Sequence, residues 1–172
     1  MRRTLILAGF TSLVLNLVSF GTGAVPLRED SSRAALATLG QEYGDLQQWA
    51  AAIAATTDTL PSVDSERARV LALQLAHLIA PLERDFENTT AALSTDQLDQ
   101  ILPLWERMAF AHAGFVMLEE QAAALGGDPT LEPSELHDLV TQLSAVLDLA
   151  TEMQRQVLTR LTTPSSTPIR IT

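Results

Sequence analysis

Apolar residues recur at alternating spacings of three and four along four long segments of the chain. In the first segment this heptad seam consists of Leu36, Leu39, Tyr43, Leu46, Ala50 and Ile53. Such spacing places the apolar side chains on one face of a helix. We therefore predict a helix over residues 32–59, with Asp30 or Ser31 as its N-cap and Pro61 just beyond its end.

Two glycines lie beside this seam, Gly40 and Gly44. A glycine inside a helix costs about 1 kcal/mol relative to alanine. Close approach of a neighbouring helix would explain both positions. Simple tolerance of glycine is the alternative.

The second segment predicts a helix that begins after Ser62. Its stripe consists of Leu71, Leu75, Leu78, Leu82 and Phe86. Pro81 lies inside this stripe, and a proline in a helix interior removes a hydrogen bond and clashes with the preceding turn. We expect Pro81 to kink or split the second helix.

The third segment predicts a helix from Ser94, which has capping-box spacing to Gln97, to the pair Gly126-Gly127. Its apolar stripe consists of Leu98, Ile101, Trp105, Met108, His112, Phe115 and Ala122. Pro103 is expected to interrupt this helix near its start.

The fourth segment opens with Pro133 in the first turn of a predicted helix, and Pro164 is expected to end it. Its seam consists of Leu136, Leu139, Leu143, Val146, Ala150, Met153, Val157 and Leu161. Four helices of similar length with short connections predict an all-α fold, an up-down-up-down four-helix bundle over residues 25–163. Residues 164–172 have the composition of a flexible tail.

The first 24 residues have the pattern of a secretory signal peptide. Arg2 and Arg3 precede a stretch without charge, and the small residues Thr22, Gly23 and Ala24 suit a signal peptidase. We predict cleavage after Ala24 and a periplasmic or secreted location in a bacterium. An uncleaved membrane anchor is the alternative, because the uncharged stretch is long enough to span a bilayer. The two arginines fit either the general or the twin-arginine export route.

Charge and cysteine content exclude several classes of function. The chain has 172 residues, a formal net charge of −10, no lysine and no cysteine. Its scattered arginines form no basic stripe, which argues against binding to nucleic acid or to an anionic membrane surface. Without cysteine there can be no disulfide framework, thiolate metal site or c-type haem attachment.

No residue pattern supports a catalytic site, so we do not predict an enzyme. A di-iron bundle needs Glu-x-x-His on two helices, and Glu135-Leu136-His137 is one residue too short. No Gly-x-Ser-x-Gly motif is present, and no serine lies near a histidine in a recognisable pattern.

His112 is the candidate ligand for a cofactor. By helical phase it lies in the core stripe with Met108, whereas His77 falls on the outward face of its helix. Imidazole and thioether are ligands of some haems and copper sites, and Met153 on the fourth helix could supply the second thioether. The alternative is a core histidine that is hydrogen-bonded to a polar side chain. We expect no cofactor, with haem or a transition metal as the alternative.

The stretch from Met108 to Leu118 carries no charge, so the third helix is apolar on all sides there. Phe110, Gly114 and Met117 fall opposite the core stripe, where water would be expected. We predict that this ridge binds a partner protein or a second copy of the chain. The resulting function is that of an exported, non-enzymatic helical bundle acting through protein–protein interaction. A periplasmic metal- or haem-binding bundle that uses His112 with Met108 or Met153 is the alternative.

Overall fold

The computed structural model describes residues 25–59 and 65–162, and the regular structure in these ranges is entirely α-helical. The helices are α1 (Val25–Thr59), α2 (Ser65–Ile79), α3 (Pro81–Ala92), α4 (Thr95–Gly127) and α5 (Pro133–Thr162). The predicted signal peptide and the predicted tail over 164–172 lie outside the described residues. No helix within the described ranges has a stretch long and apolar enough to cross a bilayer.

Helices α2 and α3 form one arm, so the described chain has four helical arms, as predicted. Only Ala80 separates the two helices, and its backbone is helical, with φ −49° and ψ −39°. The amide of Ala80 also donates to the carbonyl of Ala76 at 3.0 Å. Pro81 follows as the first residue of α3, where its missing N–H is tolerated. The prediction that Pro81 splits this arm is confirmed.

The arm changes its main neighbour at this break. Helix α2 packs mainly on α4, whereas α3 packs mainly on α1. Helix α5 packs on both α4 and α1. Each arm therefore contacts the next, and the last contacts the first, which are the neighbours that an up-down-up-down order requires.

Two sequence predictions about helix boundaries were wrong. Asp30 and Ser31 do not cap the first helix, because α1 already includes them and extends back to Val25. Pro26 is compatible with a first turn, and nothing between it and residue 32 breaks a helix. Pro103 does not interrupt α4, which runs through it. Its missing amide deprives the carbonyl of residue 99 of a helical partner on an exposed part of α4, where water can serve.

The capping box at the start of α4 is confirmed. The amide of Gln97 donates to Ser94 Oγ at 3.2 Å, and the amide of Ser94 donates to Gln97 Oε1 at 2.8 Å. The side chain of Gln97 also donates to Oγ of the buried Ser32 on α1, at 3.1 Å. The turn between the second and third arms is therefore fixed to the first.

Most of the predicted seams are buried in one continuous core. The stripes of α1, α4 and α5 supply residues such as Leu36, Ile101 and Leu143, each with no exposed surface. In α2 the buried positions are instead Ala68, Ala72, Leu75 and Ile79, while Leu71 and Leu78 are only partly buried. The buried stripe of α2 therefore differs from the predicted one, and it belongs to a helix that packs mainly on α4.

A buried amide aligns α5 with α1. Gln154 is 8% exposed, and its Nε2 donates to the carbonyl of Leu36 at 2.8 Å. The amide occupies the space beside Gly40 into which a Cβ atom would project. Close approach therefore explains Gly40. Gly44 has no atom within 4 Å of that position, so simple tolerance explains it.

Candidate functional site

The inward face of α4 carries the histidine that the sequence identified. His112 is 4% exposed and shares a hydrogen bond of 2.5 Å between its Nε2 and the hydroxyl of Tyr43 on α1. The bond crosses the bundle diagonally, since α1 and α4 are not adjacent arms. His112 is thus a core histidine bonded to a polar side chain, and its outward-facing counterpart His77 is exposed.

Aromatic rings enclose the imidazole of His112. Phe86 of α3 stacks on it with a centroid distance of 4.0 Å, and Phe115 meets it edge-on at 5.4 Å. Phe86 in turn stacks on Trp105 at 4.9 Å. The cluster brings together side chains from α1, α3 and α4, and it excludes water from the ring.

This exclusion governs the protonation of the pair. Burial lowers the pKa of His112 to about 3, so the ring is neutral at ordinary pH. Burial, followed by the nearby charge of Glu42, raises the pKa of Tyr43. The Nδ1 atom of His112 is buried and has no hydrogen-bond partner. Neither residue of the pair is thus poised to exchange a proton near neutral pH.

The methionines proposed as partners of His112 are also buried. Met108 has no exposed surface and Met153 is 5% exposed, and both belong to the same hydrophobic core. The neighbours of the imidazole ring that the structure identifies are nevertheless Tyr43, Phe86 and Phe115. Within the described ranges no three carboxylate or imidazole side chains are grouped so that they could hold a metal ion.

The outward face of α4 exposes two large apolar side chains. Phe110 is 75% exposed and Met117 is 70% exposed, the highest values among the large hydrophobic residues described. Gly114 lies at the edge of this surface, because a side chain at this position would touch Val146 of α5 at 3.4 Å. Phe110 also forms one wall of a shallow groove of about 410 Å³ whose other wall includes Leu149 of α5.

A second concave surface follows from the break at Pro81. Helix α2 packs on α4 rather than on α1, and a cleft of about 650 Å³ lies between α1 and the second arm, lined by Trp49, Leu78 and Pro81. Glu42 also lines this cleft, and burial, together with the neighbouring carboxylate of Asp85, raises its pKa. One carboxyl oxygen of Glu42 is buried without a partner.

Sequence reasoning missed both the Tyr43 partner of His112 and this cleft. Tyr43 is the only tyrosine in the chain, and His112 is the only histidine on a predicted seam. Because both were expected in the core, each needed a polar partner there, and this could have indicated their pairing. The cleft depends on which neighbours α2 and α3 choose on either side of Pro81, and no residue pattern specifies that choice.

Comparison with known proteins adds no assignment. No family profile matches the chain, and neither the curated proteins nor the solved structures contain a significant match.

Proposed function

We propose that this chain is an exported, non-enzymatic helical-bundle protein that acts by binding another protein through the outer face of α4. After removal of residues 1–24, the rest of the chain up to residue 163 would form the up-down-up-down four-helix bundle. The contacts between neighbouring arms support the bundle, and the small residues before Val25 support the cleavage.

The observation that carries the proposal is the exposure of Phe110 and Met117. Together they leave two large apolar side chains in water on a segment of eleven residues without charge. Leu149 of α5, 37% exposed, extends this apolar surface across the groove. Contiguous exposed apolar patches on soluble proteins mark interaction sites more often than single exposed residues do.

The double variant F110E/M117E tests this proposal on the purified exported protein. Both side chains lie in solvent, so helicity and cooperative melting should be unchanged. The molar mass measured by light scattering should fall, or a partner that co-purifies from the native source should be lost. The matched control is W49E/V70E, which alters two half-exposed apolar side chains on α1 and α2 and should leave association intact.

Two results would contradict the proposal. If F110E/M117E folds and neither the molar mass nor the set of co-purifying proteins changes, the outer face of α4 is not an interaction surface. If the variant fails to fold, these residues belong to the core of the monomer. If the intact mass of the protein includes residues 1–24, the segment is not cleaved, and the protein is membrane-anchored rather than released.

A second candidate function is a metal- or haem-binding bundle that uses His112 with Met108 or Met153. The observation in its favour is the buried Nδ1 of His112, which has no hydrogen-bond partner and could serve as a ligand atom. An absorbance spectrum and a metal analysis of protein purified from its native source test this function. A colourless protein without stoichiometric metal would exclude it.

A further inference from the structure

The outer face of α4 has the heptad spacing of a helix-pairing surface. Pro103, Phe110, Met117 and Ala124 are seven residues apart, so at 100° per residue each lies within about 20° of the previous one. We call these four residues the outer seam. It extends over about 32 Å of helix at 1.5 Å per residue. The small residues Ala113 and Gly114 lie at its middle, where a second helix could approach closely.

Charged residues of opposite sign flank this seam. Glu106 and Arg107 are both exposed. Glu106 is four residues and Arg107 three residues before Phe110, so at 100° per residue they fall on opposite sides of the outer seam. Neither is a member of an ion pair among the described residues. Glu120, also exposed, lies on the same side as Glu106.

We propose that the partner of this surface is a second copy of the chain, with its α4 parallel to the first and related to it by a two-fold axis along the outer seam. The proposal rests on the proposed function and identifies the protein that is bound. Phe110 would meet Phe110 of the second copy, and Met117 would meet Met117 of the second copy. A symmetric contact of this kind closes a dimer.

The flanking charges favour the parallel orientation. A two-fold axis parallel to the helices places one flank of α4 against the opposite flank of the second copy. Arg107 of each copy then faces Glu106 of the other, giving two equivalent ion pairs beside the phenylalanines. Such rim pairs contribute little energy but select the orientation.

An antiparallel pair that buries the same apolar residues is disfavoured. It would centre on Ala113 and Gly114 and would place Phe110 against Met117 of the second copy. Each flank would then face itself, so Glu106 would lie opposite Glu120 of the second copy. Like charges facing each other across an interface are unfavourable.

Cysteine cross-linking distinguishes the two orientations, because the natural chain contains no cysteine. In the parallel dimer F110C alone and M117C alone should each form a disulfide-linked dimer under mild oxidation. In the antiparallel dimer neither variant should link alone, and only their mixture should. W49C serves as the control, because Trp49 is half-exposed on α1, diagonally across the bundle from α4.

A single charge reversal gives an independent test with opposite expected signs. In the parallel dimer E106R places two arginines together on each side of the seam and should weaken association roughly tenfold. Exchanging both charges in E106R/R107E should restore it. In the antiparallel dimer E106R would relieve the repulsion from Glu120 and strengthen association. Light scattering over a concentration series measures the change.

The outcomes separate this inference from the proposed function. A wild-type protein that stays monomeric at every concentration overturns the second copy as partner. If F110E/M117E nevertheless loses a co-purifying protein, the proposed function stands with a different partner. If it loses nothing, both proposals fail. Cross-linking only in the mixture of F110C and M117C would overturn the parallel orientation alone.

Discussion

Between Met108 and Leu118 both faces of α4 are uncharged, but one face is buried and the other is exposed. On the inward face Met108 and Phe115 have at most 1% of their surface exposed. On the outward face Met117 and Phe110, the same two residue types, are 70% and 75% exposed. The same chemistry therefore supports folding on one side of the helix and is available for binding on the other. Position relative to the neighbouring arms, rather than hydrophobicity, decides which of the two roles a residue has.

The largest effect expected from this comparison is on the free energy of unfolding. Phe115→Ala removes a buried ring that contacts Tyr43 and His112 and should cost about 3–5 kcal/mol. Phe110→Ala should change the stability of the monomer by less than about 0.5 kcal/mol. Urea unfolding at low protein concentration measures both. A loss above about 2 kcal/mol for Phe110→Ala would mean that the outward face belongs to the core.

An intermediate effect is expected from pH, through His112 on the inward face. Its pKa is about 6.5 when the chain is unfolded and about 3 when folded, so only the unfolded chain binds a proton between these values. The stabilisation that comes from keeping His112 neutral is present above about pH 6.5 and is lost progressively as the pH falls towards 3. Between pH 7 and pH 5 the loss should be about 2 kcal/mol.

The double variant H112L/Y43F is the control for this pH dependence. It removes both members of the buried pair, whereas H112L alone would leave the hydroxyl of Tyr43 buried without a partner. All other groups still titrate in it, including Glu42, whose raised pKa acts in the opposite direction. The difference between the two proteins therefore isolates His112. Equal slopes in both would show that the imidazole is accessible to water.

The smallest effect concerns Gly114, at the boundary between the two faces. Gly114→Ala should stabilise the monomer by about 0.5–1 kcal/mol, because alanine is the better helix former and its methyl group would touch Val146 at ordinary contact distance. Gly44→Ala is matched to it, since nothing lies within 4 Å of that position. Thermal unfolding compares the two. If Gly114→Ala destabilises the protein and Gly44→Ala does not, α5 must lie closer to α4 than in the structure described.

The heptad seams allowed the helices to be predicted, because burial on one face imposes a period that the sequence carries directly. The same phase rule placed His112 inside and His77 outside. The rule wrongly predicted full burial of Leu71 and Leu78, because a period identifies an apolar stripe but not the neighbouring helix against which it packs. The prediction that Pro103 interrupts α4 was wrong, because a proline is tolerated in a helix where water can reach the carbonyl that it leaves unpaired. Tyr43 was recognised as a seam residue, but the diagonal bond to His112 depends on the relative height of two arms.

The buried amide of Gln154 has a consequence for how uniquely this sequence folds. Seams built from leucine and alanine look alike after a shift of one heptad, so two such helices could pair in several alignments of similar energy. Only one alignment places Gln154 beside the gap at Gly40 and within reach of the Leu36 carbonyl. In any other, the amide would be buried against hydrocarbon without a partner, at a cost of about 1–3 kcal/mol. A single polar side chain thus lowers the energy of one alignment of α1 and α5 relative to the alignments that are shifted by a heptad.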